Sequence, residues 1–275
     1  MRKLLSLIVL LPLAFVSCIT IKYSEATNTN TSPQTLRPLP FAKLYTAVWM
    51  QRAAEYKGLC LQAYNLAEWR LEEALQNPQN QGKKLAVITD IDETFLDNSP
   101  NAVHQARKNL LYESQSWHEW CAKACADTLP GALRFFSKAA KAGVEVFYIS
   151  NRSEQDRNGT LRNLKAFGFP YADDAHLLLR GNTSDKEERR LAVTQNYEVI
   201  LYLGDNLGDF LSVFDSPNEQ ERERALFNQR NQIGRRFILL PNPNYGNWET
   251  ALHGGIPGSI SRQTSTIESK AKGYK

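Results

Sequence analysis

The chain has 275 residues, of which 42% are hydrophobic and 23% charged, a composition typical of a globular protein with one sizeable core. Its formal net charge is +4, but Arg2 and Lys3 lie in a segment that we expect to be removed, which leaves 31 basic against 29 acidic residues. A mature protein so close to neutral lacks the basic excess that binds nucleic-acid polymers, so no such partner is predicted.

The N-terminus has the pattern of an export signal. A basic start at residues 1–3 precedes an apolar run over residues 4–16 that is too short to span a membrane as a stable helix. The run ends in a small residue and Cys18, which resembles the lipobox of bacterial lipoproteins, with Phe15 where leucine is usual. We therefore predict a lipoprotein signal peptide that ends at a lipidated Cys18, and an exported protein anchored in a bacterial outer membrane or periplasm. A plain signal peptide is the alternative.

The mature chain divides by composition into four parts. Residues 19–39 are rich in Thr, Asn, Ser and Pro without a periodic apolar pattern, which is typical of a flexible tether. Over 40–81 apolar side chains recur at helical spacing, which predicts two N-terminal helices that cap or pack against the core. The core is expected over 82–252 with an insert near 98–128, and the polar segment 253–275 is expected to be a C-terminal tail.

Beyond residue 82 the pattern changes to short, nearly continuous apolar runs separated by helical stretches. Runs of this kind, rich in β-branched residues, are typical of parallel strands that helices cover on both faces. We therefore predict an α/β fold with a Rossmann-like parallel sheet. The predicted strands lie at 85–88, 144–149, 176–179, 199–203 and 237–240, with helices at 131–141, 155–166 and 186–196.

Two aspartates one residue apart, Asp90 and Asp92, follow the first predicted strand. Ligands of open α/β sheets bind beyond the carboxyl ends of the strands, which is where this pair is expected to lie. The first carboxylate of such a pair can attack phosphorus to give an acyl phosphate, and the second can protonate the leaving oxygen and later deprotonate water. The spacing therefore favours Asp90 as nucleophile and Asp92 as general acid and base.

The ends of the other strands carry the remaining groups that phosphoryl transfer needs, which are mainly positioning and charge neutralisation. Ser150 and the backbone N–H of Asn151 can hold a phosphoryl oxygen, and Lys186 at a predicted helix start can neutralise both nucleophile and phosphate. Asp205 and Asp209 add two acids, and hard oxygen ligands of this kind are those that Mg²⁺ prefers. A bound Mg²⁺ would screen the repulsion between an anionic nucleophile and an anionic substrate.

Five segments match the motifs of one known family: Asp-Ile-Asp-Glu-Thr at 90–94, Leu-Asp-Asn-Ser-Pro at 96–100, Tyr-Ile-Ser-Asn-Arg at 148–152, Gly-Asp-Asn-Leu-Gly-Asp-Phe at 204–210 and Leu-Pro-Asn-Pro-Asn-Tyr-Gly-Asn-Trp-Glu at 240–249. In these segments the chain resembles the haloacid dehalogenase superfamily of phosphohydrolases. More narrowly it resembles the class C acid phosphatases of the lipoprotein e type, which are lipid-anchored 5'-nucleotidases. The resemblance spans roughly residues 40–252 and implies the haloacid dehalogenase fold with a small helical cap.

The resemblance also implies roles for individual residues. Asp90 is the expected nucleophile and Asp92 the expected acid and base. Magnesium is expected to be held by Asp90, the backbone carbonyl of Asp92 and Asp205, while Asp209 braces Lys186 or a metal-bound water.

The insert lies where this superfamily places a cap over the site. Its Trp117 and Trp120 are expected to stack on a nucleobase, with core packing as the alternative for two tryptophans three residues apart on a helix. Tyr245 in the segment 240–249 and Arg152 in the segment 148–152 complete the expected substrate-binding residues. Relatives commonly carry aromatic residues just after the Asn-Ser-Pro, where this chain has Asn-Ala-Val-His at 101–104, so a preference for nucleotides over other monoesters stays open.

The sequence thus predicts a magnesium-dependent acid phosphatase whose partners are a small phosphate monoester, with 5'-nucleotides as one candidate, and a membrane that it meets through the lipid anchor. Two alternatives remain open. One is a phosphotransferase of the same fold that passes phosphate to an alcohol, and the other is a surface lipoprotein that binds a ligand without catalysis.

Overall fold

The computed structural model describes residues 37–274, which form a parallel sheet flanked by helices, so the predicted α/β fold is confirmed. The predicted signal peptide, Cys18 and nearly all of the predicted tether lie outside the described residues. Among the helices of residues 37–274, none combines the length and the apolarity that a membrane crossing needs.

Ten α-helices and seven strands make up the described part of the chain. The helices are α1 (Pro38–Arg52), α2 (Ala54–Gln76), α3 (Ser99–Arg107), α4 (Ser114–Lys123), α5 (Ala132–Lys141), α6 (Arg157–Phe167), α7 (Glu187–Thr194), α8 (Glu219–Asn228), α9 (Asn247–Leu252) and α10 (Ile260–Lys270). The strands are β1 (Leu85–Thr89), β2 (Leu96–Asp97), β3 (Asp127–Thr128), β4 (Glu145–Ser153), β5 (Leu177–Arg180), β6 (Glu198–Gly204) and β7 (Phe237–Leu239).

The main sheet has the order β5-β4-β1-β6-β7, and every neighbouring pair is parallel. From β1 the chain moves outward through β4 to β5, then crosses to the other side of β1 for β6 and β7. The strand order therefore changes direction between β1 and β6, and open α/β sheets bind their ligands at such a point, beyond the carboxyl ends of the strands.

Alternate side chains of the sheet strands enter two separate cores, because successive residues of a strand point to opposite faces. Val87, Val146 and Leu201 join the core that α2, α5 and α6 cover. Ile88 and Phe147 join the core on the other face, to which α7 and α8 contribute. This double burial explains why the strands are nearly continuous apolar runs in the sequence.

An aromatic cluster anchors the loop that follows β1. The ring of Phe95 lies 4.8 Å from that of Phe169 and 5.4 Å from that of Phe136, measured between centroids. Tyr148 of β4 packs on the same ring. Since Ile91 and Phe95 are both fully buried, the loop over residues 91–95 is held against the core at both ends.

The insert after β1 leaves and re-enters the core at one place. Strands β2 and β3 pair antiparallel as a small separate sheet, and α3 and α4 lie between them. The two N-terminal helices differ in their contacts: α1 packs against α3, whereas α2 packs against α5 and the sheet.

The segment expected to be a C-terminal tail contains a helix, α10, that the sequence pattern did not indicate. Ser259 caps it by accepting a hydrogen bond from the backbone N–H of Arg262 at 3.3 Å. The helix also contacts α1, so this segment adds to the packing around the first helix.

Candidate active site

Asp90 lies buried directly after β1, at the edge where the strand order changes direction. Its backbone N–H donates to the carbonyl of Leu203 in β6 at 2.9 Å, which fixes the start of the loop. The hydroxyl of Thr94 lies 3.2 Å from a carboxylate oxygen of Asp90 and 3.2 Å from one of Asp205. A hydroxyl has one proton, so Thr94 can donate to only one of the two carboxylates at a time.

Lys186 is the cation of this site. Its ammonium contacts the carboxylate of Asp90 and lies 2.7 Å from that of Asp209, and the side chain is 5% exposed. Burial by itself would lower the pKa of Lys186, but Asp209 and Asp90 outweigh it and hold the pKa above the ordinary value for lysine. The ammonium therefore stays charged.

Asp90, Asp205 and Asp209 form an acidic triad, since each offers a carboxylate oxygen within 4.8 Å of the others. Burial raises the pKa of Asp90 to about 7, against the opposing effect of Lys186 and with the help of Asp209 and Asp92. Burial, Asp209 and Asp90 raise the pKa of Asp205 well above its ordinary value. Lys186 contacts only Asp90 and Asp209, so the charge of three carboxylates exceeds that of this ammonium. The triad therefore fits a divalent cation with oxygen ligands.

Two glycines allow the fourth motif to fold tightly around this triad. The carboxylate of Asp209 accepts from the backbone N–H of Asn206 at 2.9 Å, and a Cβ on Gly204 would collide with the side chain of Asp209. A Cβ on Gly208 would collide with the carboxylate of Asp215. The spacing of glycine and aspartate in this motif therefore has a steric reason.

The side chain of Asp92 is not part of the triad, because it turns to Arg152. The guanidinium donates to Oδ1 of Asp92 from Nη2 at 2.7 Å and from Nε at 3.0 Å. Asn98 donates to the same oxygen at 2.8 Å, and the hydroxyl of Ser150 lies 3.3 Å from Oδ2. Only the backbone carbonyl of Asp92 thus remains as its expected metal ligand.

Arg152, expected to bind substrate, is 2% exposed and already has partners for its donors. Besides Asp92 it donates to the hydroxyl of Thr160 at 3.0 Å, and its guanidinium carbon lies 5.5 Å from the centroid of the Trp117 ring. The indole N–H of Trp120 donates to Oδ1 of Asn98 at 2.8 Å, and its ring packs on the core. Arg152 and both tryptophans thus lie in the surroundings of Asp92, and their contact with substrate stays a prediction.

Ser150 and Asn151 lie in β4 near its carboxyl end, where Ser150 is buried and Asn151 exposed, and Arg189 braces both of them. The guanidinium of Arg189 donates to the backbone carbonyl of Ser150 at 2.7 Å and to the side-chain oxygen of Asn151 at 2.8 Å. Arg189 lies in the charged run that also holds Lys186, and nothing in that run distinguished it from a solvated helix start.

Tyr245 lies at the rim of the site, with its hydroxyl turned inward. The hydroxyl donates to the carboxylate of Glu93, which also accepts from the backbone N–H of Asn98 at 2.8 Å. Glu93 is 1% exposed and has a left-handed backbone with φ of 56°, and burial followed by the charge of Asp92 raises its pKa to about 8. Tyr245 as a residue is 39% exposed, so part of it faces solvent at the rim although its hydroxyl is buried against Glu93.

A cleft of about 360 Å³ opens beside Lys186 and Asp209. Its other walls are mainly small polar side chains, among them Asn151, Asn206 and Asn247. A hydrated or polar group could occupy it, since every wall offers a hydrogen-bond partner.

The sequence matches the family described as HAD superfamily, subfamily IIIB (Acid phosphatase), over residues 9–248. Among curated proteins, acid phosphatase 1 of Solanum lycopersicum is 29% identical over 167 residues, which cover 58% of this chain and 57% of that protein. Vegetative storage protein 2 of Arabidopsis thaliana is 26% identical over 58% of this chain and 55% of its own length. The chain thus spans less than three fifths of the length of these curated relatives.

A solved structure matches over a larger share. The class C acid phosphatase from Bacillus anthracis with tungstate bound superposes with a TM-score of 0.82 at 35% sequence identity, covering 86% of this chain and 99% of that one. A second structure of the Bacillus anthracis enzyme gives the same TM-score at 34% identity. The chain therefore belongs to the HAD superfamily, subfamily IIIB, the acid phosphatase family.

Proposed function

We propose that the protein is a magnesium-dependent phosphomonoesterase that works through a phospho-aspartate on Asp90. The observation that carries the proposal is the buried carboxylate of Asp90 between Lys186 and the two other acids of the triad. Lys186 neutralises the nucleophile, and the triad has the charge and the donor atoms for a hard divalent cation. Family names alone would not suffice, since the matching proteins include one named as a storage protein.

The proposed reaction has two steps. A carboxylate oxygen of Asp90 attacks phosphorus, the bond from phosphorus to the ester oxygen breaks, and Asp92 gives its proton to the departing oxygen. Asp92 then takes a proton from a water molecule as that water attacks the phosphoryl group, which releases phosphate and restores Asp90. The backbone N–H of Asn151 and the hydroxyl of Ser150 hold the phosphoryl oxygens during both steps. Because the Ser150 hydroxyl has one proton, it gives up its contact with Asp92 when the phosphoryl group is bound.

Mg²⁺ would be held by Asp90, the backbone carbonyl of Asp92 and Asp205, with Asp209 bracing Lys186 at 2.7 Å. When bound, the ion supplies positive charge that offsets the repulsion between the nucleophile and the phosphate. Lys186 supplies the other positive charge from the protein side.

Phosphate monoesters are the proposed substrate class, and 5'-nucleotides are the candidates that Tyr245 favours. This partly exposed aromatic residue at the rim would offer a stacking surface, whereas both tryptophans of the insert already have other contacts. We further propose that the protein is exported and anchored by a lipid on Cys18, so that it would act outside the cytoplasm.

The deciding experiment compares the wild type with Asp90→Asn on p-nitrophenyl phosphate at mildly acidic pH. We expect activity in the wild type with Mg²⁺, loss of activity with a chelator, and background rates for Asp90→Asn because the amide is not a nucleophile. Asp174→Asn is the matched control, because this aspartate is exposed. Within the described residues its only ion pair is with Arg157. A wild type that is inactive on aryl, sugar and nucleoside phosphates with ample Mg²⁺ would overturn the proposal.

The same assay separates hydrolysis from transfer. A phosphotransferase would pass phosphate from Asp90 to an added alcohol such as glycerol, giving glycerol phosphate in place of inorganic phosphate. Bound tungstate in the Bacillus anthracis structure suggests a further probe. We expect tungstate to inhibit this protein competitively with the phosphate monoester.

A further inference from the structure

Arg152 is a buried cation whose partner is the proposed acid and base. Its guanidinium reaches Asp92 with Nε and Nη2, both within 3.0 Å of the same oxygen, and Nε also lies 3.2 Å from the other oxygen. A buried ion pair is weak as a source of stability, because an apolar pair of similar volume serves a fold as well. A two-pronged contact does, however, fix the orientation of a carboxylate.

The side chains around this ion pair hold the Asp92 carboxylate in a single orientation. Asn98 and Ser150 reach its two oxygens from the insert and from β4. Asn98 is itself held by the indole N–H of Trp120 at 2.8 Å. The carboxylate is thus held by side chains from two separate parts of the chain, although Asp92 directly precedes a turn of the backbone.

The insert also holds Arg152 itself. Trp117 of α4 presents its ring to the guanidinium at 5.5 Å, a distance within the range of cation–π attraction, and Thr160 of α6 accepts from Nη1. Burial would lower the pKa of Arg152, but Asp92 outweighs it and holds the pKa above the ordinary value for arginine.

We infer that Arg152 is a positioning residue that fixes the Asp92 carboxylate for proton transfer, and that Trp117 holds Arg152 in place. The inference rests on the proposed phosphatase function. It gives the insert a part in the chemistry: through Trp117 and Asn98 the insert sets the geometry of the acid and base without touching the substrate.

The test uses leaving groups that depend differently on a general acid. p-Nitrophenol leaves readily without a proton, whereas phenol and glycerol need one. For Arg152→Met we expect kcat/KM to fall by about 100-fold with phenyl phosphate, within the range of general-acid effects, but by less than about tenfold with p-nitrophenyl phosphate. A change in kcat/KM reports the steps up to formation of the phospho-enzyme, so slow hydrolysis of that intermediate does not mask the difference.

A burst experiment checks the second proton transfer. Since p-nitrophenol leaves without help while water attack still needs a base, Arg152→Met should release one equivalent of p-nitrophenol quickly and then turn over slowly. Asp92→Asn should show the same burst. If Arg152 acts through Asp92, adding Arg152→Met to Asp92→Asn should change kcat/KM by less than about threefold, because the two residues work as one unit.

Arg222→Met is the matched control. Arg222 is also buried and donates to the backbone carbonyl of Phe214, far in the sequence from Asp92 and without contact to it. It should lower stability without changing the ratio of the two substrates. If Arg152→Met does not fold, as judged by circular dichroism, the variants Trp117→Leu and Trp117→Phe test the inference in its place. The leucine variant should shift the substrate ratio in the same direction, and the phenylalanine variant should keep the wild-type ratio.

Two outcomes would overturn the inference. One is an equal loss on both substrates in a folded Arg152→Met protein, and the other is an additive loss in the double variant. Either result would leave the phosphatase proposal intact, since the wild type would still hydrolyse both substrates. An inactive wild type would instead remove the proposed function itself.

Discussion

Removal of divalent metal should make the protein less stable as the pH rises through neutrality. The perturbation is a chelator, which leaves the acidic triad with Lys186 as its cation. The pKa of Asp90 is then about 7 instead of 3.8, first because of burial. The folded state keeps this proton over a pH range in which the unfolded chain has already lost it, so the free energy of unfolding falls with rising pH there.

The magnitude follows from that interval. Between about pH 5 and about pH 7, Asp90 alone would remove about 2 kcal/mol from the free energy of unfolding, as an upper limit for one group. Glu93 acts in the same direction, because its pKa is raised from 4.5 to about 8. The loss of stability is complete at a pH above the pKa values of these groups in the folded state. It is absent at a pH below their pKa values in the unfolded chain.

The assay is urea unfolding in a chelator at about pH 5, 6, 7 and 8, followed by tryptophan fluorescence and fitted by linear extrapolation. Asp90→Asn is the control, since its neutral amide should flatten the dependence and make the variant more stable than the wild type at the highest pH. Added Mg²⁺ should stabilise the wild type most at that pH, because a ligand that binds only the folded state adds stability. A free energy of unfolding that is flat or rises with pH in the metal-free wild type would refute the reasoning, as would an unchanged slope in Asp90→Asn.

Three further expectations concern other parts of the chain. Tyr64→Phe should lower the free energy of unfolding by about 1–3 kcal/mol in urea titrations, because the Tyr64 hydroxyl donates to the buried carbonyl of Thr94 at 2.7 Å and the ring is otherwise kept; a change near zero would contradict this. Gly131→Ala should lower the melting temperature, because Gly131 has φ of 92° and a new Cβ would lie 2.9 Å from the Cβ of Tyr64; Gly143→Ala, with φ of 79° and open space around it, should cost less. Cys18→Ser should move the protein from the membrane fraction to the soluble fraction and abolish incorporation of labelled fatty acid, and unchanged fractionation would count against lipidation.

The sheet was predictable because its signal is local. Each strand is buried on both faces, and the resulting apolar runs mark all five strands of the main sheet within a few residues of their observed bounds. The acids after β1 and β6 were visible for a related reason. Parallel strands bring their carboxyl ends to one edge, so Asp90 and Asp205 come together although they are far apart in the sequence.

The partners of Asp92 were not predictable, because no local pattern encodes them. Arg152 lies 60 residues away from Asp92 along the chain. From the sequence alone, a polar residue at the end of a strand is equally consistent with a substrate contact and with one half of a buried ion pair. The same holds for Glu93 and Tyr245, which are 152 residues apart. Helix α10 was missed since its sequence has the polar composition of a tail, and its cap at Ser259 became visible only with the fold.

The short pairing of β2 with β3 determines how the insert could be replaced by that of a relative. Because Leu96 and Thr128 lie opposite each other, the segment 97–127 between them starts and ends at one point. A segment of different length could therefore be grafted there without moving β1 or β4. The side chains of the grafted segment would nevertheless replace those that now surround Arg152. A transplanted insert without counterparts of Asn98 and Trp117 should fold on this scaffold but leave Asp92 and Arg152 without two of their contacts. Exchanging the insert between relatives would therefore lower the rate of proton transfer even where the sheet is unchanged.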